Sequence, residues 1–358
     1  MNMTMERRGC ALVVLALTLG LPGCGSSSSG SNASSEPART SGDGGAAGEG
    51  GTAGAAGVPT LFYLDLFGGR VLRVGTDGAK PDAIVTTGSV EPDGVVVDVA
   101  GGHVFWTNMG AAQGLTQGND GFILRADLDG SHVTTIVQMG DTHTPKQMKL
   151  DATHGKLYWC DREGMRVMRA NIDGSNIETL VTTAPASGSA DMANWAVGIA
   201  LDLADGKMYW TQKGPGPSGG ASTGTIRRAA LEIPAGQDST NRSDIEVLFS
   251  GLSEPIDMDL DLDKRQMYWT DRGDNTVSRA PMDPPVGADP AHRLDRDILV
   301  HGAGQAIGIA LDLPNGAMYY TALDTGAVSK ANLDGSGAKT LVAHQGGLSG
   351  ITLVQLPK

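Results

Sequence analysis

The sequence predicts an all-β fold, a six-bladed β-propeller of four-stranded antiparallel blades, and three observations predict it. An aromatic marker recurs six times from Leu61 onward, each repeat divides into four short strand-like runs, and Asp-Gly dipeptides join the last two runs of several repeats.

The marker is an apolar-aromatic pair followed by Thr or a similar residue and then by a polar one. Its copies are Phe62-Tyr63-Leu64-Asp65, Phe105-Trp106-Thr107-Asn108, Tyr158-Trp159-Cys160-Asp161, Tyr209-Trp210-Thr211-Gln212, Tyr268-Trp269-Thr270-Asp271 and Tyr319-Tyr320-Thr321-Ala322. The second aromatic returns every 43 to 59 residues, a period that belongs to propellers and solenoids.

The four runs are clearest in the fourth repeat: Gly198–Leu201 (strand A, ending at Asp202), Lys207–Thr211 (B), Thr225–Ala229 (C) and Ile245–Phe249 (D). They are rich in β-branched or aromatic residues and bounded by Gly, Pro, Asp or Asn, which reads as strand. Asp77-Gly78, Asp129-Gly130, Asp173-Gly174 and Asp334-Gly335 stand between C and D. Asp-Gly tolerates the positive φ of a tight hairpin. Four antiparallel strands per repeat make a propeller blade and not a helical solenoid. The first repeat has no strand A before Leu61, whereas Leu348–Leu353 reads as an orphan strand A. It is expected to complete the first blade and close the ring, removing an exposed sheet edge.

These markers, followed by segments such as Arg125-Ala126-Asp127-Leu128-Asp129-Gly130-Ser131 and Arg169-Ala170-Asn171-Ile172-Asp173-Gly174-Ser175, resemble the YWTD (class B) repeats of the low-density-lipoprotein receptor family, from about residue 60 to 356. Asp65, Asp161 and Asp271 match the acidic end of that motif, and Asn108, Gln212 and Ala322 depart from it. The cysteine-rich modules of those receptors are absent, so their ligand uptake and release is not carried over.

The N-terminus reads as an export signal over residues 1–23: Arg7 and Arg8 precede the apolar run Ala11–Leu21, too short for a retained membrane span. The run ends in Leu21-Pro22-Gly23-Cys24, which resembles a bacterial lipobox and implies a lipid on Cys24; ordinary secretion with cleavage nearby is the alternative. Residues 24–57 form a Gly/Ser/Ala-rich tether with almost no large apolar side chain, expected to be a flexible coil. Residues 58–358 are the propeller. The expected location is the envelope of an exporting bacterium, membrane-held through the lipid, and the outer membrane if the host has one, because Gly25 and not Asp follows the Cys. A net charge of −13 without a compensating basic run argues against nucleic acid as a partner. With Cys10 in the signal and Cys24 lipidated, Cys160 stands alone and reads as a buried small residue.

Strand A is expected to line the central channel, with alternation deciding which side chains face it. One register is apolar, as in Val95 and Val97 or Ile199 and Leu201, and should pack between blades. The other is mostly small, as in Gly94 and Val96, Gly198 and Ala200, Gly308 and Ala310, or Gly350 and Thr352. In this second register one strand offers Gln147 and Lys149 and another Asp257 and Asp259. A cation and two carboxylates converging in the ring read either as a ligand or metal subsite or as a structural ion-pair network. The face where strand A starts gathers Glu91, Asp93, Lys146, Trp195, Glu254 and Gln305, with long connections at 109–120, 182–194 and 213–224. Long loops on one face of a rigid scaffold are a frequent place for binding. Trp195 reads as a stacking platform for sugar or peptide, or as a ring packed on its own domain. Asp98, Asp151, Asp202, Asp261 and Asp312 precede turns and read as turn formers.

No phosphate loop, nucleophile elbow or paired metal-ligand His motif is present, and no residue is assigned a catalytic role. The expectation is a lipid-anchored binding module for a protein, peptide or glycan at the cell envelope, without a cofactor. One alternative is a propeller enzyme resembling metal-dependent lactonases or lyases, holding a divalent cation at Asp257 and Asp259. Another is a passive envelope scaffold.

Overall fold

The computed structural model describes residues 57–110, 119–185, 191–215 and 222–358. The export signal, Cys24, the tether up to residue 56 and the middle parts of the three long connections lie outside the described residues. The described chain forms six four-stranded antiparallel sheets, each ordered A-B-C-D from the channel outward. The inner strands are Leu348–Leu356 in blade 1, Pro92–Asp98 in blade 2 and Pro145–Asp151 in blade 3. Trp195–Asp202, Pro255–Asp261 and Ala306–Asp312 follow in blades 4, 5 and 6. As expected, blade 1 is closed by the C-terminal strand, with Leu353 opposite Leu61 and Ile351 opposite Tyr63.

The aromatic markers are the core. Trp106, Trp159, Trp210 and Trp269 are fully buried, as are Tyr63, Tyr209, Tyr268 and Tyr319. Phe62, Leu64 and Val71 of blade 1 pack on Val95, Trp106 and Phe122 of blade 2, and the same blade-on-blade arrangement repeats around the ring. It ends with Tyr319 and Val328 of blade 6 against Leu61, Leu72 and Ile351 of blade 1. At about 1.5–3 kcal/mol for each large apolar side chain buried, these six interfaces dominate stability.

The expected orientation of strand A needs correcting. Val96 packs with Met148 and Trp159 of blade 3, Ala200 with Met258 of blade 5, and Ala310 with Tyr63 of blade 1. The small side chains of this register therefore pack against the next blade, whereas Lys149 and Asp259 of the same register reach past it to meet in the channel. The innermost strand presents its edge to the channel, and both faces of its pleat lie between blades. The glycines of this register have the same cause. A Cβ on Gly198 would stand 2.1 Å from the Ile256 carbonyl oxygen of the next inner strand, and Gly94, Gly308 and Gly350 meet the following backbone likewise.

The Thr of the marker joins blades. The Thr211 hydroxyl accepts from Gly198 N (2.8 Å) and donates to the Ile256 carbonyl of the next blade (2.7 Å). Thr107 bridges Gly94 to Lys146, and Thr270 bridges Asp257 to Ile307, in the same way. Blade 1 has Leu64 at this place, and Ser349 makes the connection by donating to the Pro92 carbonyl at 2.7 Å. The repeated Asp residues form turns as expected: Asp98 Oδ1 accepts from Gly101 N at 2.8 Å and Asp151 Oδ1 from His154 N at 3.0 Å.

Candidate functional site

The channel end of the site is built by blades 3, 5 and 6. Lys149 Nζ reaches Asp259 Oδ1 at 3.4 Å, both side chains about one-quarter exposed. Asp257 is buried deeper, at 2% exposure. Each carboxylate collects two N–H groups from the channel edge of the inner strands. Asp257 accepts from Met258 N (2.9 Å) and from Ile309 N of blade 6 (3.1 Å). Asp259 accepts from Leu260 N and Leu311 N, both at 3.1 Å. An inner strand has no further strand on its channel side, so these donors need acceptors. The paired carboxylates tie blade 5 to blade 6 through them.

Charge is unequally shared in this group. Burial pushes the Asp257 carboxyl up to about 7, against the lowering effect of Lys149 and of its N–H donors. Burial by itself would lower Lys149, but the charges of Asp259 and Asp257 outweigh it and hold the ammonium above its usual range. The ion pair is the contact between Lys149 and Asp259, and Asp257 is the carboxyl that burial raises. Among the described residues, no group of three or more His, Cys, Asp or Glu gathers closely enough to hold a metal ion.

Gln147 joins the mouth. Its Nε2 donates to Asp93 Oδ1 at 2.7 Å and to the Asp93 carbonyl at 3.2 Å. The other oxygen of Asp93 takes the Lys146 ammonium in a buried ion pair. Lys146 also lies 3.1 Å from Met109 Sδ. Burial first, and the Arg162 charge in addition, hold the Lys146 ammonium below its usual range against the opposing pull of Asp93.

From there a ladder of charges runs over blades 3, 4 and 5. Arg162 pairs with buried Glu163 at 2.6 Å and lies over the Trp195 ring, 5.1 Å from its centroid. Lys213 lies 5.5 Å from the same centroid. It pairs with Glu254 at 2.6 Å, and Glu254 also accepts from Arg272 Nε at 2.9 Å. Burial and then the Arg272 charge bring Lys213 down to about 8. Burial alone would raise Glu254, but the Arg272 hydrogen bond and the Lys213 charge hold it below the carboxylate range.

The expected site residues thus fall into two connected groups, Lys149–Asp257–Asp259 in the channel and Gln147–Asp93–Lys146 at the mouth, with Glu254 farther along the rim. Trp195 is 4% exposed with cations over its ring, so it is packed into its own rim and presents no open stacking face. Glu91 and Gln305 sit at positive φ before the inner strands of blades 2 and 6, and their carbonyls accept from Met109 N and Leu323 N. Arg162, Lys213 and Arg272 were missed. Each directly follows a marker, at one structural position in three consecutive blades, and that recurrence is a signal present in the sequence. Cys160 is fully buried, its thiol donates to the Gly198 carbonyl at 3.2 Å, and burial pushes its pKa up, as expected for an inert core residue.

The geometry defines a class: a closed six-bladed ring with a polar, internally neutralised channel mouth. Comparison with protein-family profiles finds no match. A protein of Pyricularia oryzae named low-density lipoprotein receptor-related protein 1 is 39% identical over 299 residues, 80% of this chain and 92% of its own length. A 3-hydroxyacyl-CoA dehydrogenase-like protein of Cochliobolus heterostrophus is 36% identical over 71% of this chain, which spans 54% of that relative. A human low-density lipoprotein receptor-related protein 5-like protein is 26% identical over 39% of this chain and 49% of its own. Among solved structures, one from a nidogen/laminin complex superposes with a TM-score of 0.62 at 21% identity, covering 83% of this chain and 99% of that one. The calcium-binding protein regucalcin of Agrobacterium tumefaciens shares the fold at a TM-score of 0.52 and 14% identity, over 75% of this chain and 80% of its own. The chain belongs to the YWTD-repeat propeller family of the low-density lipoprotein receptor-related proteins.

Proposed function

We propose that this chain is an extracytoplasmic protein-binding module, held at a bacterial membrane by a lipid on Cys24 and binding its partner through the face where the inner strands begin. The family supports a binding role, and the nidogen/laminin structure is a propeller crystallised in a protein complex. The observation that carries the choice of face is the rim. Connections 109–120, 182–194 and 213–224 emerge there from blades 2 to 4, beside charges already neutralised as Asp93–Lys146, Glu163–Arg162 and Glu254–Lys213. A rim so paired is a rigid mount for binding loops.

The test cross-links the full chain in envelope fractions, identifies the partner, and measures affinity with purified components. Shortening 109–120 or 213–224 to a two-residue turn is expected to weaken binding at least about tenfold, the equivalent of losing one good contact. Equal binding by these variants and by one altered at the opposite turn, Ala152–Gly155, overturns the choice of face. Cys24→Ala is expected to move the protein from the membrane to the soluble fraction. Retention in the membrane overturns the lipid anchor.

A further inference from the structure

Blades 4 and 5 carry the same insertion between strands C and D but show different surfaces on it. In blade 4 it holds Pro234, Gly236, Asp238, Arg242 and Asp244, and blade 5 repeats these five residue types at the same spacing as Pro285, Gly287, Asp289, Arg293 and Asp295. Both glycines take positive φ. Both arginine side chains are buried and pair with the Asp two residues on, at 2.8 and 2.7 Å. Both also donate to an outer-strand carbonyl of the preceding blade, Leu180 at 3.1 Å and Leu248 at 3.2 Å. The scaffold is therefore shared. On its surface, Ala235, Gln237, Ser239 and Ser243 stand where blade 5 has Val286, Ala288, Pro290 and Leu294. Val286 and Leu294 are fully exposed. Blade 4 builds the same scaffold with polar residues, so folding does not account for the apolar ones.

The insertions lie on the face where the inner strands end. That face also exposes Leu203, Leu262 and Leu313, each directly after the Asp that ends the inner strand of blades 4, 5 and 6. On the mouth side, the exposed large apolar side chains among the described residues are Phe67 and Met139. Apolar exposure thus favours the face opposite the mouth and is densest on blades 4 to 6. The chain enters the propeller on this same face, because Val58 pairs with Leu356 at the end of the inner strand of blade 1. Cys24 stands 34 positions before Val58.

We propose that this face docks on the surface of the bilayer to which the chain is held, with Val286, Leu294 and the turn leucines of blades 4 to 6 seated at the headgroup boundary and the mouth turned away. The choice of a bilayer as occupant rests on the reading of Cys24 as lipidated. The point of entry favours a membrane over a second protein. A Gly/Ser-rich coil of this length spans about 30 Å, so the bilayer stays within reach of the face that the tether joins. The encounter is then intramolecular, at an effective concentration on the order of mM, and a shallow apolar contact suffices. Asp205, Asp263 and Asp289 are exposed on the same face. Zwitterionic lipid therefore suits it, and an anionic surface repels it. In this orientation the long connections of the mouth point toward partners.

The experiment holds the chain on phosphatidylcholine vesicles by a hexahistidine tag that replaces residues 1–24 and binds a nickel-chelating lipid. The ring closes within residues 58–358, and Cys160, the cysteine that remains, is buried. A fluorophore is placed at Ala152→Cys, on the turn face, or at Thr87→Cys, on the mouth side, and nitroxide-labelled lipid quenches it. Quenching is expected to be at least about twofold stronger at position 152. Val286→Ala with Leu294→Ser, the residues blade 4 carries at these places, is expected to make the two labels equal, and added phosphatidylglycerol to narrow the difference. Equal quenching in the unsubstituted surface, or an asymmetry that survives the double substitution, overturns the proposal. Dimers on the vesicle that the double substitution abolishes also overturn it, and assign the patch to a second copy. The tag holds the chain whatever happens at Cys24, so a failure of docking is read apart from a failure of the lipid anchor, which the fractionation of Cys24→Ala reads.

Discussion

Lys149 and Asp259 meet at 3.4 Å although they are 110 residues apart and a whole blade stands between their strands. The small inner strand of blade 4, with Gly198 and Ala200 where its neighbours carry Gln147 and Lys149 or Asp257 and Asp259, lets blades 3 and 5 reach each other at the channel. The carboxylates also cap the edge of blade 6, so one polar cluster joins blades 3, 5 and 6.

This cluster makes stability depend on pH through Asp257. Its folded pKa, about 7, lies above the 3.8 of a free Asp. Between these values the folded state binds more protons than the unfolded one, so the contribution of Asp257 is fully present below pH about 4 and falls as pH rises through about 7. The Tm difference between wild type and Asp257→Asn is expected to shift in favour of the variant across that window and to level off above it. Melting curves from pH 4 to 8.5 check it; a difference independent of pH would show that Asp257 is ionised throughout.

The marker Thr is predicted to act between blades. Thr211 is fully buried, and Thr211→Val keeps its shape while leaving Gly198 N and the Ile256 carbonyl without their partner. The expected loss is about 1–3 kcal/mol, the cost of unsatisfied buried groups, with Thr211→Ser recovering most of it. Urea unfolding measures both.

Asp93 and Lys146 are expected to be strongly coupled. Removing one partner of a buried pair strands the other charge and costs about 3–5 kcal/mol, whereas removing both is far milder. Asp93→Asn should therefore destabilise much more in the wild-type background than beside Lys146→Met, and a double-mutant cycle in urea reads the difference directly. Additive effects would mean that the pair is solvated.

Ring closure predicts a steep response to truncation. Deleting residues 347–358 removes the inner strand of blade 1, including buried Leu348 and Ile351, and opens the interface with blade 6. The cooperative melting transition is expected to disappear, as followed by calorimetry and tryptophan fluorescence. An unchanged transition would mean that the remaining blades hold the ring without it.

The sequence by itself determined the blade number, the four-stranded blade, the turns and the closing strand. Each rests on local order: a marker that repeats, a period of two along a strand, Asp-Gly where φ turns positive, and a strand lacking in the first repeat and left over after the last. Recurrence also held the rim cations Arg162, Lys213 and Arg272, although alternation drew attention to strand A instead. Alternation failed there because a period of two tells which side chains share a face and not what that face meets. Only the tertiary structure decided that both faces of the inner strand lie between blades and that its backbone edge meets the channel. It also decided that Trp195 is covered by Arg162 and Lys213. These depend on the distance and twist between neighbouring sheets, which residues far apart in the chain set together.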